Sequence, residues 1–102
     1  MACLSYLALS SCLDLLRRAK PDMEKQYHVR SLALFGSYAR NEQTEASDVD
    51  VLVEFSKPIG GFAFVDCAEA LEARLGLRVD LVPADSVKPH YREYIQEDLV
   101  YV

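Results

Sequence analysis

The chain has 102 residues, 51% of them hydrophobic, which is enough for one modest core and too little for two domains, so residues 1–102 read as a single domain. Its 11 Lys and Arg stand against 16 Asp and Glu, a net charge of −5 with no basic stripe, which argues against nucleic acid as a tightly held ligand. Three cysteines (Cys3, Cys12 and Cys67) without CxxC spacing indicate neither a disulfide framework nor a zinc site and fit the cytoplasm best.

The apolar start, Met1 to Leu16, has no basic leader, contains Asp14 and is too short to span a bilayer. Leu9, Leu13 and Leu16 recur at helical spacing and predict an amphipathic helix from about Leu4 to Lys20, packed on a sheet. Arg17, Arg18 and Lys20 would then sit in its last turn and complement the helix dipole, with Pro21 opening a short second segment. A first strand is expected over about Val29 to Phe35. It runs into the turn and short helix of Gly36-Ser37-Tyr38-Ala39-Arg40, and Asn41 to Ala46 form a polar loop. Alternation from Asp48 to Phe55 predicts a second strand. The loop Lys57-Pro58-Ile59-Gly60-Gly61 ends in a glycine pair expected to flex near a bound ligand. Phe64, Ala68, Leu71 and Leu75 share one face of a helix over Phe62 to Leu75, which Gly76 caps. Leu77 to Val82 is a third strand whose apolar pattern breaks at Asp80. Pro89 begins a last helix. Its Tyr91, Tyr94 and Ile95 share a face that, with residues 99–102, is either core or a docking surface for a partner. His28 and His90 have no ligand spacing.

Side chains two apart on a strand point to the same face, so Asp48 and Asp50 converge on one spot. Two carboxylates that close repel one another and gain a proton unless a hard cation such as Mg²⁺ compensates them. Asp80 joins the pair if the second and third strands adjoin. Gly36 lets backbone amides approach a ligand closely, and Ser37 adds a hydroxyl, a combination suited to phosphate oxygens. Each element alone has a plainer reading. Asp48 can open a strand through an Asx turn, Asp50 can be solvated on an open sheet face, and Gly-Ser can be a simple helix cap. Their combination is what points to phosphate chemistry.

The runs Phe35-Gly36-Ser37-Tyr38-Ala39-Arg40 and Ser47-Asp48-Val49-Asp50-Val51-Leu52-Val53-Glu54-Phe55, with Asp80 on a later strand, resemble the minimal nucleotidyltransferase (MNT) domains of the DNA polymerase beta superfamily. They are most similar to the antitoxin branch, encoded beside HEPN-type ribonuclease toxins. These domains usually carry glycine after the Ala-Arg. Here Asn41 stands there, the non-glycine residue best able to take a left-handed backbone. The resemblance implies an α+β nucleotidyltransferase fold, with a small mixed sheet of three to four strands flanked by helices. It implies two Mg²⁺ ions on Asp48, Asp50 and Asp80, and ATP phosphates held by Gly36 and Ser37, with Arg40 either assisting there or serving the surface. It also implies transfer of AMP to a tyrosine of a partner HEPN toxin, with no membrane or nucleic-acid partner. The alternatives are an antitoxin that only binds its toxin, and a transferase acting on a small molecule such as an aminoglycoside.

Overall fold

Helix α1 (Leu9–Tyr27) opens the computed structural model, which describes residues 8–102. The expected helix start at Leu4, and Cys3, lie outside the described residues. Cys12, Leu16, Ala19 and Met23 are buried at helical spacing along one stripe of α1. Contrary to the sequence reading, the helix does not stop at Lys20 but runs through Pro21 to Tyr27, about two turns further. Proline removes one backbone hydrogen bond there. Its ring lies on the exposed side, while Ala19 and Met23 on either side of it are buried, and their packing offsets the loss. Arg17, Arg18 and Lys20 are consequently in mid-helix. Arg18 pairs with Asp14 at 3.2 Å, and the Lys20 ammonium donates to the Val102 carbonyl at 2.8 Å. His28 ends the helix instead, in a left-handed conformation (φ 58°) with its N–H on the Met23 carbonyl.

Strand β1 (Val29–Phe35) leads through the single-turn helix α2 (Gly36–Ala39) and a loop to β2 (Val49–Phe55). Helix α3 (Gly61–Leu75) follows, and Gly76 caps it at φ 70° with its N–H on the Glu72 carbonyl. Next come β3 (Val79–Pro83), a 3-10 turn (Ala84–Ser86), helix α4 (Pro89–Gln96) and the two-residue β4 (Val100–Tyr101). The sheet order is β3-β2-β1-β4. β1 is antiparallel to both β2 and β4, whereas β2 and β3 are parallel and joined by the α3 crossover. A four-stranded mixed sheet flanked by helices is the α+β arrangement expected. The strand within residues 99–102 was not: it completes the sheet by pairing Val100 with Leu34 and Tyr101 with Ala33.

Alternation divides the sheet into two faces. Leu32 and Leu34 of β1, Val49, Val51 and Val53 of β2, and Leu81 of β3 pack under α1 and α3 in the main core, together with Leu71 and Leu75. Each such buried side chain contributes about 1.5–3 kcal/mol. On the opposite face Ala33, Phe35 and Leu52 form a smaller buried cluster with Ala84 and Ile95, edged by the partly buried Val82, Val87 and Leu99. Asp50 and Asp80 belong to this thinly covered face, because they alternate with Val49, Val51 and Leu81. Among the described residues no helix is long and apolar enough to cross a membrane.

Candidate active site

The site begins where β1 ends. Phe35 is extended (φ −142°, ψ −175°) and Gly36 turns to φ +75°, swinging the chain into α2. Two independent facts require glycine at this position: the left-handed backbone, and Asp50, whose Oδ2 would lie 2.1 Å from any Cβ built there. The register explains the closeness, since Phe35 sits directly opposite Asp50 across β1 and β2. Tyr38, fully buried, fastens α2 to the main core. The turn then closes through the Arg40 N–H on the Gly36 carbonyl (3.1 Å) and the Glu42 N–H on the Ser37 carbonyl (2.8 Å). Asn41 takes φ 58°, the left-handed conformation asked of it.

Strands β2 and β3 do adjoin, and their parallel register puts Asp80 beside Asp50. The two carboxyls stand side by side across the strands, so their like charges act on one another. Burial, followed by the charges of Asp80 and Asp48, pushes Asp50 up to about 6, with Arg40 opposing the shift. Asp48 departs from the sequence reading. It stands just outside β2, which begins at Val49, and its exposed carboxylate pairs with the Arg78 guanidinium at 3.1 Å. Among the described residues no three acidic, histidine or cysteine side chains form a ready-made metal cage. The donors nevertheless suit a hard divalent cation. All three are carboxylates, and two of them are neighbours across the parallel strands, where a cation would offset their like charges.

Gly36, Ser37, Arg40 and Asp50 line a cavity of about 270 Å³ together with Tyr91, Tyr94, Ile95 and Asp98. Arg40 is committed at its rim. Its Nε meets Glu42 at 2.9 Å and its NH1 meets Asp98 at 2.8 Å. Sequence reasoning missed Asp98, because nothing local links it to a residue 58 positions earlier. It also left Tyr91 and Tyr94 between core and docking surface, and neither is core: they are 48% and 69% exposed, and only Ile95 of that face is buried. The Gly60-Gly61 pair lies away from this cavity. It lines a larger one of about 740 Å³ with Lys57, Phe64 and Arg92 at the other end of β2, five residues or about 16 Å along the strand from Asp50.

Residues 16–102 match the family model described as a nucleotidyltransferase domain. A protein of Methanocaldococcus jannaschii, named for protein adenylyltransferase activity, is 45% identical over 95 residues, spanning 92% of this chain and 97% of its own. The protein adenylyltransferase MntA of Thermococcus cleftensis is 38% identical over 99 residues, spanning 97% of this chain and all of its own (100%). Among solved structures, a minimal nucleotidyltransferase superposes with a TM-score of 0.79 at 31% identity, covering 94% of this chain and 97% of that one. A toxin–antitoxin structure with AMP-PNP superposes at 0.66 with 25% identity, covering 93% of this chain and 72% of that one. The chain belongs to the nucleotidyltransferase domain family, in its minimal MntA-like branch, and is a nucleotidyltransferase enzyme.

Proposed function

We propose that this protein transfers AMP from ATP to a tyrosine hydroxyl of a partner HEPN toxin and thereby neutralises it, acting in the cytoplasm as the antitoxin of the pair. The observation that carries this reading is the adjacent Asp50–Asp80 pair, with Asp50 set against Gly36 in the lining of the 270 Å³ cavity. A module that only bound its partner would have no use for two mutually repelling carboxyls in contact. The names of the relatives and the toxin–antitoxin neighbour support the choice of donor and partner.

In this reading the Gly36 amide and the Ser37 hydroxyl hold the β and γ phosphates, and the close approach of β1 to Asp50 brings the α-phosphate over the acids. Asp48, Asp50 and Asp80 would hold two Mg²⁺ ions, which supply positive charge to the attacking and leaving oxygens of an in-line displacement. Asp80, exposed on the sheet face, accepts the tyrosine proton. The tyrosine oxygen bonds to the α-phosphorus, the bond from that phosphorus to the bridging oxygen breaks, and pyrophosphate leaves. Arg40, held between Glu42 and Asp98, either turns one N–H to the leaving phosphates or stays at the rim. Adenylyl ester on the toxin adds bulk and negative charge at its own site.

The test uses ATP labelled on the α or the γ phosphate, incubated with this protein, Mg²⁺ and the partner. Label from the α position should become acid-stable on the partner, while γ label leaves as pyrophosphate. Transfer of γ label, or a stable complex that never acquires label, would overturn the proposal.

A further inference from the structure

Tyr91 and Tyr94, three apart on α4, have their rings stacked with centroids 6.2 Å apart and planes 17° from parallel. Stacking usually serves to bury aromatic surface, yet these rings remain 48% and 69% exposed. The helix beneath them is fixed. Ile95 is 2% exposed against Phe35 and Leu52, and Asp98, just past the helix, is tied to Arg40 at 2.8 Å. The rings therefore form a rigid, solvent-facing aromatic surface. Both also line the cavity that holds Gly36, Ser37 and Asp50, and Tyr91 in addition lines a second cavity of about 290 Å³ with Val82 and Lys88.

We propose that the Tyr91–Tyr94 stack is the platform for the nucleobase of the substrate nucleotide. This rests on the nucleotidyl-transfer reading and deepens it. A nucleotide whose phosphates lie against Gly36 and Ser37 must send its base out of a cavity of about 270 Å³, and the two rings are part of that cavity's lining. A planar base covers the exposed ring faces, and their hydroxyl ends stay in water. Stacking is tolerant of base identity because every base has a π-face. The platform therefore favours purines over pyrimidines by stacking area, without strict selection of adenine. The shared cavity is what favours a base over a protein partner as the occupant of this surface.

The experiment is calorimetric titration of the full chain, in Mg²⁺, with ATP and separately with inorganic tripolyphosphate. Tyr91→Leu and Tyr94→Leu should each weaken ATP binding on the order of tenfold and leave tripolyphosphate binding unchanged, which also shows that the variants are folded. Tyr91→Phe and Tyr94→Phe keep the rings and should bind ATP as the native chain does. Leucine variants that bind ATP normally, with or without weakened association with the partner, overturn the platform and leave nucleotidyl transfer standing. Equal weakening of both ligands overturns it as well. A native chain that binds neither ATP nor tripolyphosphate overturns both the platform and the reading beneath it.

Discussion

Replacing Gly36 with alanine separates backbone strain from site geometry, because the chain contains its own control. Gly36 and Gly76 have nearly the same backbone, φ +75° and +70°, so alanine meets a similar left-handed penalty at both. That penalty is about 1–2 kcal/mol, partly offset by the lower entropy of the unfolded alanine chain. A net cost of about 1 kcal/mol lowers Tm by roughly 4–8 °C in a domain of this size. Only the surroundings differ. At Gly76 nothing lies within 4 Å of the new Cβ, whereas at Gly36 it would stand 2.1 Å from Asp50 Oδ2. The Asp50 carboxylate is the end of a side chain and can swing away, so most of the clash is relieved by displacing it more than about 1 Å, a misplacement that costs on the order of a hundredfold in rate. Thermal unfolding and AMP transfer to the partner, measured on both variants, should therefore give similar losses of Tm but a large loss of activity for Gly36→Ala alone. Full activity in Gly36→Ala, or equal loss in Gly76→Ala, would mean that the Gly36–Asp50 approach does not set the geometry of transfer.

Asp50, raised to about 6 from an ordinary 3.8, binds its proton more tightly in the folded chain than in the unfolded one. Its stabilising effect is complete below about pH 4 and is lost as pH rises through about 6. Asp50→Asn should flatten that fall in a series of melts across the range, gaining stability over the native chain at neutral pH while losing transfer; an unchanged slope would contradict the raised Asp50 carboxyl. Millimolar Mg²⁺ should raise the Tm of the native chain by mass action and do much less for Asp48→Ala with Asp50→Ala; equal shifts would remove the acids as ligands. Arg78→Ala breaks an ion pair between exposed side chains and should change stability by less than about 1 kcal/mol. By releasing Asp48 it should also tighten Mg²⁺ binding, so weaker binding in the variant would mean that the pair orders the site.

The fold was legible wherever a pattern was local. Val29 to Phe35, the Asp48 to Phe55 run, Gly76 and Pro89 each carry their signal within a few residues, and the observed boundaries lie within one or two of those expected. What was missed is tertiary. α1 survives Pro21 because Ala19 and Met23 are packed against the sheet, an energy no propensity reports. β4 has only two residues, and its partner Leu34 lies far back in the chain. At the site, the adjacency of Asp50 and Asp80 followed once two apolar strands were recognised, because the parallel register does the rest. The Asp48–Arg78 pair, the Arg40–Asp98 pair and the exposure of Tyr91 and Tyr94 depend on which elements meet across the open face. A single sequence does not encode that locally.

Intact-mass spectrometry of the partner toxin reads out the proposed AMP transfer by Asp48, Asp50 and Asp80 on the acceptor itself. After incubation with this protein, ATP and Mg²⁺, the toxin should gain the mass of one or more AMP units on tyrosine, and none when Asp48→Ala with Asp50→Ala replaces the native chain. An unchanged mass in a stable complex would rule out the transfer, and the same gain with the double variant would rule out these carboxylates as its catalytic groups.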